Sequence, residues 1–301
     1  MRTLPTNPLR KIHRFPGETR GPRRAFLRRA FLRRAVPTAA LAALPVLAAC
    51  AVSQQKEVQM GSNYSSQIAR QLPLINDPEA LRYINVLGDS LATVTDQRDL
   101  QWHFNIVDSK EVNAFAVPGG YVYVNRGLIE RAETMSQVAG VIGHEIGHVT
   151  RRHSIKQMQK AQGANLGMSL GCILTRICGS ELAATAIDIG AGGLFAHFSQ
   201  SDEAEADQEG VRTTIKAGID PNGIPEMFRI LLDERKNSPG AVSAFFATHP
   251  LEEDRIAATR ALIGTFPPRG LEGLTRDSQN FHAFKERLAS LPPSPDRRTQ
   301  R

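Results

Sequence analysis

The sequence is short of cysteine, with three in 301 residues, so no disulfide framework of the kind that staples small secreted domains defines this fold. It is also short of long apolar runs. The small-residue stretch from Ala35 to Ala49 is too brief to span a bilayer comfortably, and the Gly-, Ala- and Ile-rich stretch 163–198 is interrupted by Arg176, Glu181 and Asp188. That pattern argues against a transmembrane bundle and suits a buried hairpin or a mobile flap over a site. There are no internal repeats, which argues against a solenoid. Basic charge is missing where a polyanion binder would need it. The net charge is +7, but residues 1–49 hold ten Arg and one Lys against Glu18, or +10; the remainder has 26 basic and 29 acidic side chains, or −3. A nucleic-acid partner is not expected. The 41% apolar content is ordinary for a globular core.

The basic leader reads as an export signal. Arg23-Arg24-Ala25-Phe26-Leu27 and Arg28-Arg29-Ala30-Phe31-Leu32 are two consecutive copies of one pattern, followed by the apolar stretch and then Leu47-Ala48-Ala49-Cys50. The paired arginines resemble a twin-arginine signal, and the last four residues resemble a bacterial lipobox, in which Cys50 is acylated after cleavage. Ala51 after that cysteine favours the outer membrane by resemblance to lipoprotein sorting. Cys172 and Cys178 could be bridged only across a non-helical turn at 173–177, because six helical residues separate Cα atoms by about 9 Å. A bridge and two free thiols both remain open.

Along the body of the chain, residues 51–75 suit a tether and a first helix. Asp77 and Pro78 start a helix carrying Leu81, Ile84, Leu87 and Leu91. Residues 103–107 alternate like a strand, and 112–116 and 121–124 flank a turn at Val117-Pro118-Gly119-Gly120. Thr134 with Gln137 predicts a capping box for a helix running to about Gln162. Further helices are expected from Ser199–Ser201 to Gly218, over Pro225–Arg235, Leu251–Ile263 and Asp277–Leu288, with a Pro- and Arg-rich tail expected to be disordered. The fold class is therefore α+β, helix-dominated, with a small antiparallel sheet.

The chemistry centres on His144-Glu145-Ile146-Gly147-His148. Helical residues four apart lie one above the other, so both imidazoles can aim at one ion. Glu145 lies about 100° around from His144, placed to take a proton from an attacking water without occupying a ligand position. Met135, Val138, Val141, Ile142 and Val149 give this helix an apolar face. A hydrolytic zinc site needs a third protein ligand. His153 falls about 180° around a continuous helix from His144, which makes it a surface or supporting residue. Ser154 stands where a third histidine of the metzincin pattern would be. The dense acidic stretch Asp202-Glu203-Ala204-Glu205-Ala206-Asp207 lies on a helix whose core face carries Val211 and Ile215. Stepping back four at a time turns Asp207 and Glu203 inward and leaves Glu205 and Glu209 solvated. Buried carboxylates are costly unless paired or metal-bound, so Glu203 is the expected third ligand, with Asp207 orienting a ligand imidazole.

Those motifs, followed by Thr248-His249-Pro250, resemble the gluzincin metallopeptidases of the CAAX prenyl protease, HtpX and OMA kind, most of all their soluble periplasmic BepA-like and outer-membrane lipoprotein members. Asn113-Ala114-Phe115-Ala116-Val117-Pro118-Gly119-Gly120 resembles the strand before that family's zinc helix, and the likeness covers roughly residues 75–265. It implies a zincin-like domain with one zinc ion on His144, His148 and Glu203, and Glu145 as general base. It also implies that Asn113, Ala114 and Phe115 bind substrate backbone as an edge strand. His249 is implied to approach the site, to stabilise the oxyanion or to cap zinc in a latent state, and Arg255 is a candidate partner for the acidic cluster. By the residues alone His249 is only a helix-start residue. The integral-membrane relatives' spans and the BepA-like helical repeats have no counterpart here, so prenylated substrates and repeat-based recruitment are not expected.

The organisation expected is a signal peptide over 1–49, a lipid-anchored tether and first helix over 50–75, the metallopeptidase domain over 76–290 and the tail over 291–301. The expected function is hydrolysis of peptide bonds in unfolded or misassembled envelope proteins, by an enzyme held on the periplasmic face of the membrane through lipid on Cys50. Two other readings compete. One is an assembly factor or chaperone with a latent or structural metal site, which has no need of Glu145; the other is a non-peptidase zinc hydrolase.

Overall fold

The computed structural model describes residues 52–160, 198–250 and 253–295. The leader, Cys50, Cys172, Cys178 and the stretch 161–197, where the hairpin or flap was expected, lie outside the described residues. Ser53 accepts the Lys56 N–H and opens helix α1 (Gln54–Gln71). Asp77 does the same for α2 (Pro78–Thr93), whose Pro78 occupies a position where no N–H is needed.

Three short strands follow: β1 (His103–Val107), β2 (Ala114–Val117) and β3 (Tyr121–Asn125). The order is β1-β3-β2. β2 and β3 form the expected antiparallel hairpin across Gly119 and Gly120, whose φ values of +85° and +98° are open to glycine at little cost. β1, however, pairs with β3 in parallel, His103 against Tyr121 through Val107 against Asn125, so the sheet is mixed. The physical reason is topological: the connection from β1 to β2 carries the chain past β3's place, leaving β1 to join from the far side. β2 is thereby an edge strand.

A one-turn-and-a-half helix, α3 (Arg126–Arg131), leads into α4 (Met135–Thr150), which is buried from Met135 through Val149. Val138, Ile142 and Ile146 are fully buried, each contributing about 1.5–3 kcal/mol to stability. The capping box does not form. Thr134 makes no side-chain cap, and Gln137 Oε1 reaches one residue further back to accept the Glu133 N–H at 2.7 Å. The helix also stops sooner than expected: Arg152 takes φ +58°, and helix resumes only over residues 153–160.

α5 (Gln200–Lys216) opens with a reciprocal Ser199–Asp202 capping box and ends before Gly218 at φ +75°. It lies against α4 at very short range. A Cβ on Gly147 would sit 3.1 Å from the Ala206 Cα and carbonyl, and one on Gly210 would sit 3.2 Å from the His144 nitrogen. Small residues on both helices permit that approach. α6 (Gly223–Asn237) packs on α4, the unexpected α7 (Pro239–Thr248) packs on α6, α8 (Glu253–Ile263) on α5 and α6, and α9 (Gln279–Ser290) on α2 and α3. Phe284 of α9 stacks on Tyr83 of α2 with ring centroids 4.4 Å apart. The start of the tail is docked, in contrast to the disorder expected. Arg126 donates to the Pro292 carbonyl at 2.7 Å, and Ser294 donates to Asp108 at 2.6 Å. Among the described residues no helix is long and apolar enough to cross a membrane.

Candidate metal centre

The close packing of α4 on α5 brings the two halves of the expected site together. His144 and His148 of α4, Glu203 of α5 and His249 at the end of α7 each offer a ligand atom, and these atoms all lie within 4.8 Å of one another. The Nε2 atoms of His144 and His148 are 2.9 Å apart, and the Glu203 carboxylate oxygens lie 3.5 Å from the first and 3.4 Å from the second. His249 Nδ1 is 3.0 Å from Glu203 Oε1, and its Nε2 is 3.5 Å from Glu145 Oε1. All five side chains are buried.

Asp207 stands where periodicity placed it, one turn beyond Glu203. Its Oδ1 accepts from His144 Nδ1 at 2.8 Å, which turns His144 Nε2 toward the cluster. Arg255 of α8 braces both carboxylates, with Nη1 2.7 Å from Glu203 Oε2 and Nη2 2.7 Å from Asp207 Oδ1. It also donates to the Pro250 carbonyl and covers the Phe228 ring at 4.7 Å.

The electrostatics follow from burial and partners. Burial pulls the His144 imidazole down, but the Asp207 and Glu203 carboxylates outweigh it and push its pKa up to about 10. Burial raises Glu203, yet the three imidazoles around it, His249 foremost, hold its carboxyl far below the usual carboxylate range. Asp207 is lowered in the same way, with His144 and Arg255 overcoming burial. Burial lowers His148 well below an ordinary histidine. Burial also raises Glu145, only partly offset by His249 and His144.

One carboxylate oxygen tests whether a cation belongs here. Glu145 Oε1 is buried and without a hydrogen-bond donor, an arrangement that costs free energy unless a positive charge lies nearby, whereas Glu203 Oε2 already has Arg255 at 2.7 Å. Two imidazole nitrogens and a carboxylate are also the donor types zinc takes in hydrolytic sites. The residues fit a zinc ion.

Asn113, Ala114 and Phe115 lie at the start of edge strand β2, whose Ala116 backbone hydrogen-bonds to Glu145. Sequence reasoning left His153 between a surface and a supporting place, missed Phe198, and put Glu209 in solvent. His153 is fully buried, with its Nδ1 2.9 Å from His148 Nδ1; the positive φ at Arg152 turns it back, which a continuous-helix projection cannot show. Phe198 stacks on the His148 ring at 3.9 Å, and no local signal marks it. Glu209, expected in solvent, is largely buried against Arg151.

A buried His-Glu-x-x-His helix crossed by a glutamate from a second helix defines a zinc metallohydrolase of the gluzincin type. The chain belongs to peptidase family M48, whose model matches residues 78–263. It is 33% identical to the beta-barrel assembly-enhancing protease of Escherichia coli over 242 residues, 78% of this chain and 49% of that protein. It is 34% identical over 157 residues to the metalloprotease LoiP of the same organism, 51% of this chain and 59% of LoiP. Against the mitochondrial metalloendopeptidase OMA1 of Schizosaccharomyces pombe it is 28% identical over 182 residues, 58% of this chain and 50% of that one. The chain thus spans about half the length of these relatives.

Proposed function

We propose that this chain is an endopeptidase of the bacterial cell envelope that cleaves unfolded or misassembled envelope proteins. In this reading His144, His148 and Glu203 hold one zinc ion, and Asp207 fixes the orientation of His144. When bound, zinc supplies a Lewis acid that polarises the scissile carbonyl and makes water acidic enough to lose a proton near neutral pH. Glu145 takes that proton and later delivers it to the leaving amine. His249, adjacent to both Glu145 and Glu203, faces the developing oxyanion, or in a latent state closes the site. Asn113, Ala114 and Phe115 take the substrate backbone as an added strand. Cys50 carries the lipid that keeps the enzyme on the periplasmic face of the membrane, most suitably the outer membrane.

The observation that carries the proposal is the position of Glu145, a buried carboxylate beside the ligand group but outside it. A structural site has no use for such a group, which weighs against a chaperone with an inert metal. Support for an envelope substrate comes from the relative named as a beta-barrel assembly-enhancing protease. The test is cleavage of casein by the purified mature chain and by Glu145→Gln, with zinc content measured on both and His249→Ala run beside them. Equal zinc with cleavage lost only in Glu145→Gln is the expected result. Equal zinc with no cleavage by wild type or His249→Ala would refute the peptidase proposal.

A further inference from the structure

The two ligand imidazoles are supported differently. His144 donates to a carboxylate that Arg255 braces. His148 has no carboxylate on its outer nitrogen; it has another histidine. His153 Nδ1 lies 2.9 Å from His148 Nδ1, and His153 Nε2 lies 3.1 Å from Glu205 Oε2 and 3.7 Å from Asp202 Oδ1. We propose that His153 is a positioning residue that holds His148 in the one tautomer able to present Nε2 to the metal, and that the Glu205 and Asp202 carboxylates hold His153 in turn.

With His153 neutral, the hydrogen bookkeeping leaves one consistent arrangement. A carboxylate near pH 7 only accepts, so His153 Nε2 must carry the hydrogen given to Glu205. A neutral His153 then has an unprotonated Nδ1, which accepts. His148 Nδ1 must therefore be the donor, and its lone pair falls on Nε2, the atom that faces His144 Nε2 and Glu203. The chain runs from the ligand cluster through two buried rings to Glu205, whose side chain is half exposed. Rings also fix the plane of His148: Phe198 stacks on one face at 3.9 Å, and His153 meets it edge-on at 5.0 Å.

The backbone shows why His153 can reach. Arg152 adopts φ +58°, a left-handed conformation that is strained for a non-glycine residue and must be held. Its side chain is held by the fully buried Glu57 at 2.8 Å and by the Val52 carbonyl at 2.6 Å. Arg98, paired with the same glutamate, caps the Val149 carbonyl at 2.9 Å. The first helix thus clamps the turn that brings His153 back over His148.

The inference rests on the zinc site and not on any substrate. Its test is zinc affinity of the full mature chain, read by competition with a fluorescent chelator, together with the visible spectrum of the cobalt-loaded protein and the urea midpoint of the metal-free protein. His153→Leu, which can accept nothing, should lose 10–100-fold in zinc affinity and shift the cobalt bands. His153→Gln, whose carbonyl can accept from His148 while its amide donates to Glu205, should stay within about threefold of wild type. Glu205→Ala, a half-exposed change that leaves folding intact, should lose only a few-fold, since Asp202 remains. Unchanged affinity in His153→Leu overturns the inference, as does an equal loss in both His153 variants that tracks their metal-free stability. Wild type that takes up no zinc overturns the site assignment itself, a distinguishable failure.

Discussion

Replacing Arg255 with methionine keeps an unbranched apolar stem but removes the guanidinium that covers Phe228 and supplies a permanent positive charge to the buried Glu203 and Asp207 carboxylates. Glu145, Glu203 and Asp207 carry −3 when ionised, and Arg255 and a protonated His144 return +2. Without Arg255 the balance falls from −1 to −2, with both braced carboxylates losing a partner at 2.7 Å. Breaking a buried pair from one side costs about 3–5 kcal/mol, because the charge left behind stays desolvated. For a domain of this size that is a melting temperature lower by about 6–20 °C. Lysine at 255 would recover only part of this, since an ammonium cannot bridge both carboxylates as a planar fork does. Saturating zinc should restore about 3 kcal/mol at a hundredfold excess over Kd, and its cation compensates Glu203 directly. Urea unfolding of wild type, Arg255→Met and Arg255→Lys, each with and without zinc, measures all of this. A metal-free Arg255→Met protein within about 0.5 kcal/mol of wild type would refute the reasoning.

The approach of α4 to α5 makes a second prediction. Gly147→Val must push Ala206 away, destabilise by about 1–3 kcal/mol, and shrink the zinc-induced rise in melting temperature, because Glu203 moves with α5; thermal scans with and without zinc check both. Glu57→Gln removes the charge shared by Arg98 and Arg152 at a fully buried position and should cost about 3 kcal/mol in urea unfolding. If instead it costs nothing, the clamp on the turn after α4 is not energetically important.

Much of this site was legible because it obeys helical periodicity. His144, Glu145 and His148 declare themselves within one turn, and Val211 and Ile215 fix the face on which Glu203 and Asp207 must point. The hairpin was readable from Pro118, Gly119 and Gly120, and the ends of α5 from Ser199, Asp202 and Gly218. What could not be read depends on partners distant in sequence. The parallel pairing of β1 with β3 leaves no local mark. The break at Arg152 is fixed by Glu57, 95 residues earlier, so projecting His153 along an unbroken helix put it on the wrong side. Gly143, Gly147 and Gly210 look like weak points in helices, and only the second helix lying on them reveals their purpose. The tail looked disordered by composition, yet Arg126 and Asp108 anchor its first residues.

The most direct test is anomalous diffraction at the zinc edge from crystals of the zinc-loaded mature chain, with Glu203→Gln as its partner experiment. The account predicts a single peak enclosed by His144 Nε2, His148 Nε2 and the Glu203 carboxylate, weakened or lost in the variant. A peak elsewhere, or full occupancy in Glu203→Gln with the carboxamide turned away, would contradict it.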